Sequence, residues 1–381
     1  MLEIPLSGIK KIEEIAQSSS EYISLSQGSI KVGGIPQAIK THVQSLLNGD
    51  KTDYYESCWG LKTLREKLAA TLGSRYGVSL TPNQVLPTHG CIGGLSLVYL
   101  TLLNPGDEVI IPEPAYPAYG ILAQASRCVV KYVSCLVPGT KSDWLLDVDA
   151  IKQAITPKTK LIVFSNPTNP TGNIIPPHTL EELVKLCDSH GIYLVIDEAY
   201  RDYVFEGDYT SGITLINKSP WVISPNSFSK SMAMSGWRVG YLLVNEHLTK
   251  PLAGMQDALL NCLNNTAQYA AIYALEHPEL TQDMYHKVLH NRDYALEKLK
   301  PLLDAGIFSV QKPTGGFFLF LRTEFEDSTD LCMDILHNAK VGLIPGKTFG
   351  PSGAPFIRLC YARDPHILEE GINRIVSYFT K

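Results

Sequence analysis

Short apolar runs alternate with amphipathic stretches through the middle of the chain. VIIP at 109–112, LIVF at 161–164, YLVID at 193–197, WVIS at 221–224 and YLLV at 241–244 predict strands buried on both faces of a sheet. Between them, 147–155 (DVDAIKQAI) and 178–190 (HTLEELVKLCDSH) have helical periodicity, and Gly191 is a stop signal for the second. Strand, helix, strand order predicts an α/β fold with a mainly parallel sheet flanked by helices. Nearer the start, Ile9, Ile12 and Ile15/Ala16 repeat at helical spacing, so MLEIPLSGIKKIEEIAQ is expected to pack on the body as a helix. From about 250 the pattern lengthens into helical stretches over 250–275 and 279–300, the second ending before Pro301. FSVQ, GGFFLFL, VGLIPG and FIRLCYA then read as short strands and 366–380 as a closing helix. The expected organisation is a large domain over 45–275 and a smaller α+β domain formed by 1–44 together with 276–381.

Composition narrows the class. At 381 residues the chain is too long for one simple core, which suits a large domain with a smaller companion. Hydrophobic residues at 45% and charged residues at 19% are ordinary for a globular protein and argue against disorder or a fibrous repeat. The formal net charge is −5 and Lys and Arg are scattered without a basic run, so a small molecule is the expected partner and nucleic acid is not. The eight cysteines (58, 91, 128, 135, 187, 262, 332 and 360) form no CxxC pair and no zinc-like spacing with histidine. They read as isolated thiols of a reducing compartment, with no metal site expected. The longest nearly uncharged run, Cys91 to Leu103, falls short of the ~20 apolar residues a membrane-spanning helix needs. The charges near the N-terminus do not suit a signal-peptide core, and the chain reads as a soluble, cytoplasmic protein.

Ligand sites of parallel α/β sheets lie beyond the carboxyl ends of the strands. Four segments fall there: THGCIGG (88–94), SNPTNPTGN (165–173), DEAYRDYVF (197–205) and SPNSFSKSMAMSGWRVGY (224–241). Asp197 follows four apolar residues, and a carboxylate at a buried strand end is costly unless paired. Taken alone it reads as a satisfied structural aspartate or a helix cap, and Lys230 alone as a solvent-facing lysine among serines.

Together the segments say more. NPTNPTG, DEAY, SFSK and GWRVG, in this order and spacing, resemble the class I/II aminotransferase family of pyridoxal 5′-phosphate (PLP) fold type I. The likeness extends to YYESCWGLKTLRE (54–66), PEPAYPAY (112–119), PTGGFFLFL (313–321) and PGKTFG…FIRLCYA (345–362), nearly the whole chain. It implies transfer of an amino group between an amino acid and a 2-oxo acid, with PLP held by Lys230 as a Schiff base and passing through the pyridoxamine form. PLP spreads the charge left on a substrate Cα into a protonated pyridine ring. By resemblance Asp197 keeps that ring nitrogen protonated, while Lys230 moves the proton as general base and acid. Asn169 and Tyr200 match the partners of the ring's phenolic oxygen, although Asn169 also suits a turn. Gly90, Cys91 and Ile92 match a phosphate cup at a helix start, with Ser227 and Arg238 adding side chains. Cys91 and Ile92 stand where small or hydroxylated residues are frequent, so backbone donors carry that part of the cup.

Tyr116 matches the aromatic residue stacked on the ring, with Tyr119 nearby as a competitor. Tyr55 matches a tyrosine that reaches the phosphate of the neighbouring subunit, which implies a homodimer with the active site at the subunit interface. Arg358 matches the arginine that grips the substrate α-carboxylate, where a planar fork suits the ligand. A strand-edge salt bridge is its plainer alternative. The segment 24–39 stands where a loop lines the substrate in relatives, so Gly28 is expected to approach it closely, with Asn169 also on the substrate side. No residue identifies the substrate side chain, and aspartate, aromatic, alanine-type and cationic substrates all stay open. The same motifs also serve PLP-dependent lyases, cyclases and oxidases. A PLP-binding transcriptional regulator is disfavoured because no basic helix-turn-helix precedes residue 54.

Overall fold

Alternate residues of the apolar runs enter different cores, as expected for strands covered on both sides. The computed structural model describes residues 8–380, so residues 1–7 of the expected N-terminal helix, and Lys381, lie outside the described residues. The strands of the larger sheet are β1 (Val85–Thr88), β2 (Glu108–Glu113), β3 (Val129–Ser134), β4 (Thr159–Ser165), β5 (Tyr193–Asp197), β6 (Val222–Ser227) and β7 (Gly240–Leu243). Their order is β1-β7-β6-β5-β4-β2-β3. The two pairings of β7 are antiparallel and the others are parallel. On β4, Ile162 and Phe164 face one core while Leu161 and Val163 face the other; on β5, Leu194 and Ile196 oppose Val195 in the same way. Ile162 and Leu194 are fully buried, each contributing roughly 1.5–3 kcal/mol of burial.

Helices α2 (Gly90–Leu102), α3 (Ala118–Ala125) and α6 (Glu246–Leu260) cover one face, the last through Leu248, Leu252 and Ala253. Helices α4 (Pro177–His190) and α7 (Asn265–Glu276) cover the other. Gly191 ends α4 at φ 63, donating its N–H to the Cys187 carbonyl, so the glycine stop signal of the sequence is a left-handed cap.

A smaller layer joins both ends of the described chain. Strands β8 (Phe318–Arg322), β9 (Ile344–Pro345) and β10 (Phe356–Cys360) form an antiparallel sheet in the order β9-β10-β8. Helices α8 (Gln282–Asp304) and α9 (Pro365–Thr380) pack there, and Ile23, Leu25, Ile30 and Val32 enter the same core. Helix α1 (Gly8–Ala16) buries Ile12 and Ala16 beside this layer.

Three expectations change. The stretch 250–275 is two helices, because Asn261 leaves α6 at φ 61 and Asn264 caps α7 by accepting from Ala267 N at 3.0 Å. Helix α8 runs past Pro301 to Asp304, since a proline in the last turn removes one hydrogen bond without stopping the chain. FSVQ makes only the isolated bridge Ser309–Arg322, and VGLIPG divides into two short strands, 341–342 pairing with 23–24 and β9 pairing with β10. Among the described residues, no helix is long and apolar enough to cross a membrane.

Candidate active site

Register brings the polar strand ends to one edge. Thr88 and Ser227 both pair with Gly240, and Asp197 pairs with Ser165, so β1, β4, β5 and β6 release their following loops on the same side. Those loops, residues 27–29 and Arg358 of β10 enclose a cleft of about 690 Å3. Lys230, Asp197, Asn169, Tyr200, Ser227, Arg238, Cys91, Ile92, Tyr116, Gly28 and Arg358 all line it. Gly90 lies against Arg238 at its margin. Tyr55 is not brought into its own chain's cleft; it stands 83% exposed.

Asp197 ends β5 at the floor, 4% exposed. Its Oδ1 accepts from Ala199 N at 3.0 Å and its Oδ2 from the Tyr119 hydroxyl at 2.9 Å, and the Cys91 thiol also donates to it. Among the described residues no cation pairs with this carboxylate. Burial accordingly raises its pKa above the ordinary aspartate value, against those three hydrogen bonds.

Lys230 sits in the one-turn helix α5 (Phe228–Ser231), capped by Ser227 Oγ accepting from Ser229 N at 3.0 Å. This turn aims the amine inward, where Nζ donates to the Gly28 carbonyl. Burial, assisted by the charges of Arg358, Arg238 and Arg363, lowers the amine to about 8. It is thus held close to the pH at which it can both take and give a proton.

Arg358 is 1% exposed and has no acidic partner among the described residues. Nη1 donates to Asn169 Oδ1 at 3.0 Å and Nη2 to the Ser26 carbonyl, while Nε has no hydrogen-bond partner. Its guanidinium carbon lies 4.3 Å from the Phe318 ring centre and 4.8 Å from that of Phe349. Burial lowers its pKa to about 10. Asn169 is fixed by Ser165 Oγ, which accepts its N–H at 3.0 Å, and its Nδ2 reaches the Tyr200 hydroxyl at 3.4 Å. Gly28 has no room for a side chain, because a Cβ there would stand 2.8 Å from Phe318 Cζ.

The start of α2 faces the same cleft. Its first N–H groups have no intrahelical acceptor, and the preceding His89 side chain does not cap them. A Cβ on Gly90 would lie 2.7 Å from Arg238 Nη2, so glycine allows the guanidinium to rest on the helix start. Arg238 adopts φ 55 and donates from Nη1 to the Ser235 carbonyl at 2.7 Å. Unpaired N–H groups beside a cation form an anion site.

Sequence reasoning overlooked two supports. Tyr119, one helical turn beyond Tyr116, holds Asp197; the rings of the two tyrosines meet edge to face at 5.7 Å. The spacing of the pair in PAYPAY was the available signal. Arg363, 1% exposed, donates to the carbonyls of Ser24 (2.8 Å), Ser29 (2.7 Å) and Gln27 (2.5 Å), clamping the loop that carries Gly28. Nothing in the sequence marked it. Among the described residues no group of three or more His, Cys, Asp or Glu side chains could hold a metal ion.

A family model described as aminotransferase class I and II matches residues 20–375. The chain is similar to an aspartate aminotransferase of Thermotoga maritima, at 30% identity over 380 residues, covering 99% of this chain and 97% of that protein. It superposes on a crystal structure of a Thermotoga maritima aspartate aminotransferase with a TM-score of 0.90, at 28% identity, covering 99% of this chain and 98% of the other. An aromatic aminotransferase from Pyrococcus horikoshii superposes at 0.87, with 26% identity and 97% and 98% coverage.

Proposed function

We propose that this chain, which belongs to the class I and II aminotransferase family, carries out amino-group transfer in the cleft around Lys230 with pyridoxal 5′-phosphate as its cofactor. The observation that carries the reading is the buried, cation-free carboxylate of Asp197 facing the same space as a lysine whose amine is held near 8.

The residues present fit the cofactor. Asp197 lacks a cation, and a pyridinium nitrogen would provide one. The α2 start and Arg238 offer N–H donors and a positive charge suited to a phosphate, with Ser227 alongside. Asn169 and Tyr200 would meet the ring oxygen, and Tyr116 stands where a ring face could rest. Bound there, pyridoxal 5′-phosphate supplies an electron sink for the charge left on a substrate Cα.

The protein's own groups then divide the work. Arg358 holds the α-carboxylate, and its unpaired Nε supports this role. Lys230 Nζ, once unprotonated, takes the proton from the substrate Cα and returns it on the far side of the reaction. Gly28 and Phe318 close the substrate side and restrict water, while Tyr119 and Ala199 keep the Asp197 carboxylate in place. The exposure of Tyr55 (83%) and Tyr54 (74%) supports a homodimer in which Tyr55 serves the partner's site. Sedimentation should give twice the mass of the chain. The free state of all eight cysteines supports a reducing, cytoplasmic setting.

The test is an absorbance spectrum of the purified protein followed by a panel of amino donors. A visible-to-near-ultraviolet band that an amino acid alone removes, and a 2-oxo acid restores, supports the reading. Ammonia or peroxide release across the panel without that cycle overturns transamination, and failure to bind pyridoxal 5′-phosphate overturns the whole proposal.

A further inference from the structure

We propose that Lys10, on α1, determines specificity by meeting a carboxylate carried on the substrate's side chain; this rests on Arg358 holding the α-carboxylate. Lys10 lines the cleft beside Ile9 while remaining exposed to solvent at its mouth.

Two sets of contacts place it relative to Arg358. One turn further along α1, Glu13 accepts from Ser24 Oγ at 2.6 Å and from Ser26 Oγ at 2.5 Å, and the Ser26 carbonyl in turn accepts from Arg358 Nη2. At the helix start Gly8 lies against Thr348, since a Cβ there would stand 2.4 Å from Thr348 Oγ1. The next residue, Phe349, carries the Arg358 guanidinium over its ring. Helix α1 is therefore braced on both sides of the arginine, and Lys10 lies between the two braces.

Charge then singles it out. Among the described residues, Lys10, Lys230, Arg238 and Arg358 are the cations lining the cleft, and Asp197 is the acid. The last three cations have assigned work at the cofactor or the α-carboxylate. Lys10 forms no hydrogen bond or ion pair among the described residues. Tyr116, Pro117 and Ile121, which also line the cleft, present mostly apolar surface and carry no positive charge for a second carboxylate. A flexible ammonium at a solvent-exposed rim suits a distal carboxylate better than a neutral chain. The substrate class that fits is a dicarboxylic amino acid with its 2-oxo acid.

Lys10→Met keeps the apolar stem and removes the charge, and Lys10→Glu reverses it. In the holoenzyme, the ratio of kcat/KM for glutamate to that for alanine should fall about tenfold in Lys10→Met, the scale of one charge-assisted contact, and further in Lys10→Glu. The loss should lie in KM and weaken with added salt. A second readout is calorimetric binding of succinate against propionate, which needs no turnover. Wild-type protein should prefer succinate, and both variants should lose that preference. An unchanged glutamate-to-alanine ratio in both variants overturns the proposal, as does wild-type protein that binds the two acids alike. If no amino acid is turned over but the Lys10-dependent succinate preference holds, the reaction assigned to the cleft fails and the role of Lys10 stands.

Discussion

Lys230→Met in cofactor-free protein should raise stability at neutral pH, against the usual outcome of a substitution in a packed site. Burial holds the native amine at about 8, against 10.5 for an unperturbed lysine. Between these values the unfolded chain binds the proton and the native one does not, so stability rises with pH across that window. Below about 8 both states are charged and the native state carries the full cost of a buried ammonium. At about 1.4 kcal/mol per pH unit that cost is roughly 3 kcal/mol. Methionine also forfeits the hydrogen bond from Nζ to the Gly28 carbonyl, worth about 1 kcal/mol, leaving a net gain of roughly 2 kcal/mol at pH 7. The assay is urea unfolding followed by circular dichroism at intervals from pH 7 to 10.5. Subtracting the variant's profile from the wild type's cancels the tyrosines and cysteines that titrate in the same range. The variant's advantage should be largest below pH 8, vanish near pH 10 and reverse slightly by pH 10.5, where the lost hydrogen bond outweighs what remains of the burial cost. A variant less stable than wild type at pH 7, or a difference that does not vary with pH, would refute the reasoning.

Asp197→Asn removes the charge but keeps the shape and the contacts to Ala199 and Tyr119; kcat should fall about a hundredfold or more, with the substrate KM little affected. Arg358→Lys keeps the charge and loses the planar fork, so KM for amino acids should rise about tenfold or more while the cofactor's absorbance band persists. Gly172 has φ 75 and a Cβ there would lie 2.5 Å from Pro313 Cβ, so Gly172→Ala should lower the urea midpoint by the equivalent of ~1–3 kcal/mol.

The larger sheet was legible because its strands are covered on both faces. LIVF (161–164) and LVI (194–196) have no polar positions to confuse with an amphipathic helix, and Gly191 ends α4 as its residue type implies. Boundaries set by single side chains were harder to read. The break at 261–264 depends on Asn264 acting as a cap, yet asparagine within a helical pattern is also tolerated in the interior. FSVQ looks like a strand, but it meets its neighbour at one residue pair, and pairing partners cannot be read from a run's own composition. The site residues came from ordered motifs, and the cleft gathers all of them except Gly90 at its edge and Tyr55 outside it. Tyr119 read only as a competitor of Tyr116 and Lys10 stood in no motif, so it is the packing of α3 on β2 and β3, and of α1 on β9 and residues 341–342, that brings them to the cleft.

Arg358 and Arg363 show why that packing matters. They lie five residues apart, both 1% exposed, in FIRLCYAR, and apart from the family resemblance that singles out Arg358 their local sequence gives no reason to treat them differently. Among the described residues both are buried cations without an acid partner, an arrangement that must be compensated by hydrogen bonds or by a ligand. Arg363 is compensated internally: Nε and both terminal nitrogens donate to carbonyls of Ser24, Ser29 and Gln27. Arg358 is not, for its Nε is unpaired and much of its surroundings is the π-faces of Phe318 and Phe349. The satisfied arginine is therefore a clamp on the loop that carries Gly28, and the unsatisfied one keeps a donor free, which agrees with the anion-binding role proposed for it. The clamp also reaches Lys230, since the carbonyl of Gly28 that receives Lys230 Nζ belongs to the loop Arg363 holds. A lysine in place of Arg363 would reach one or two of those carbonyls and leave the loop, and the orientation of the Lys230 amine, less well defined.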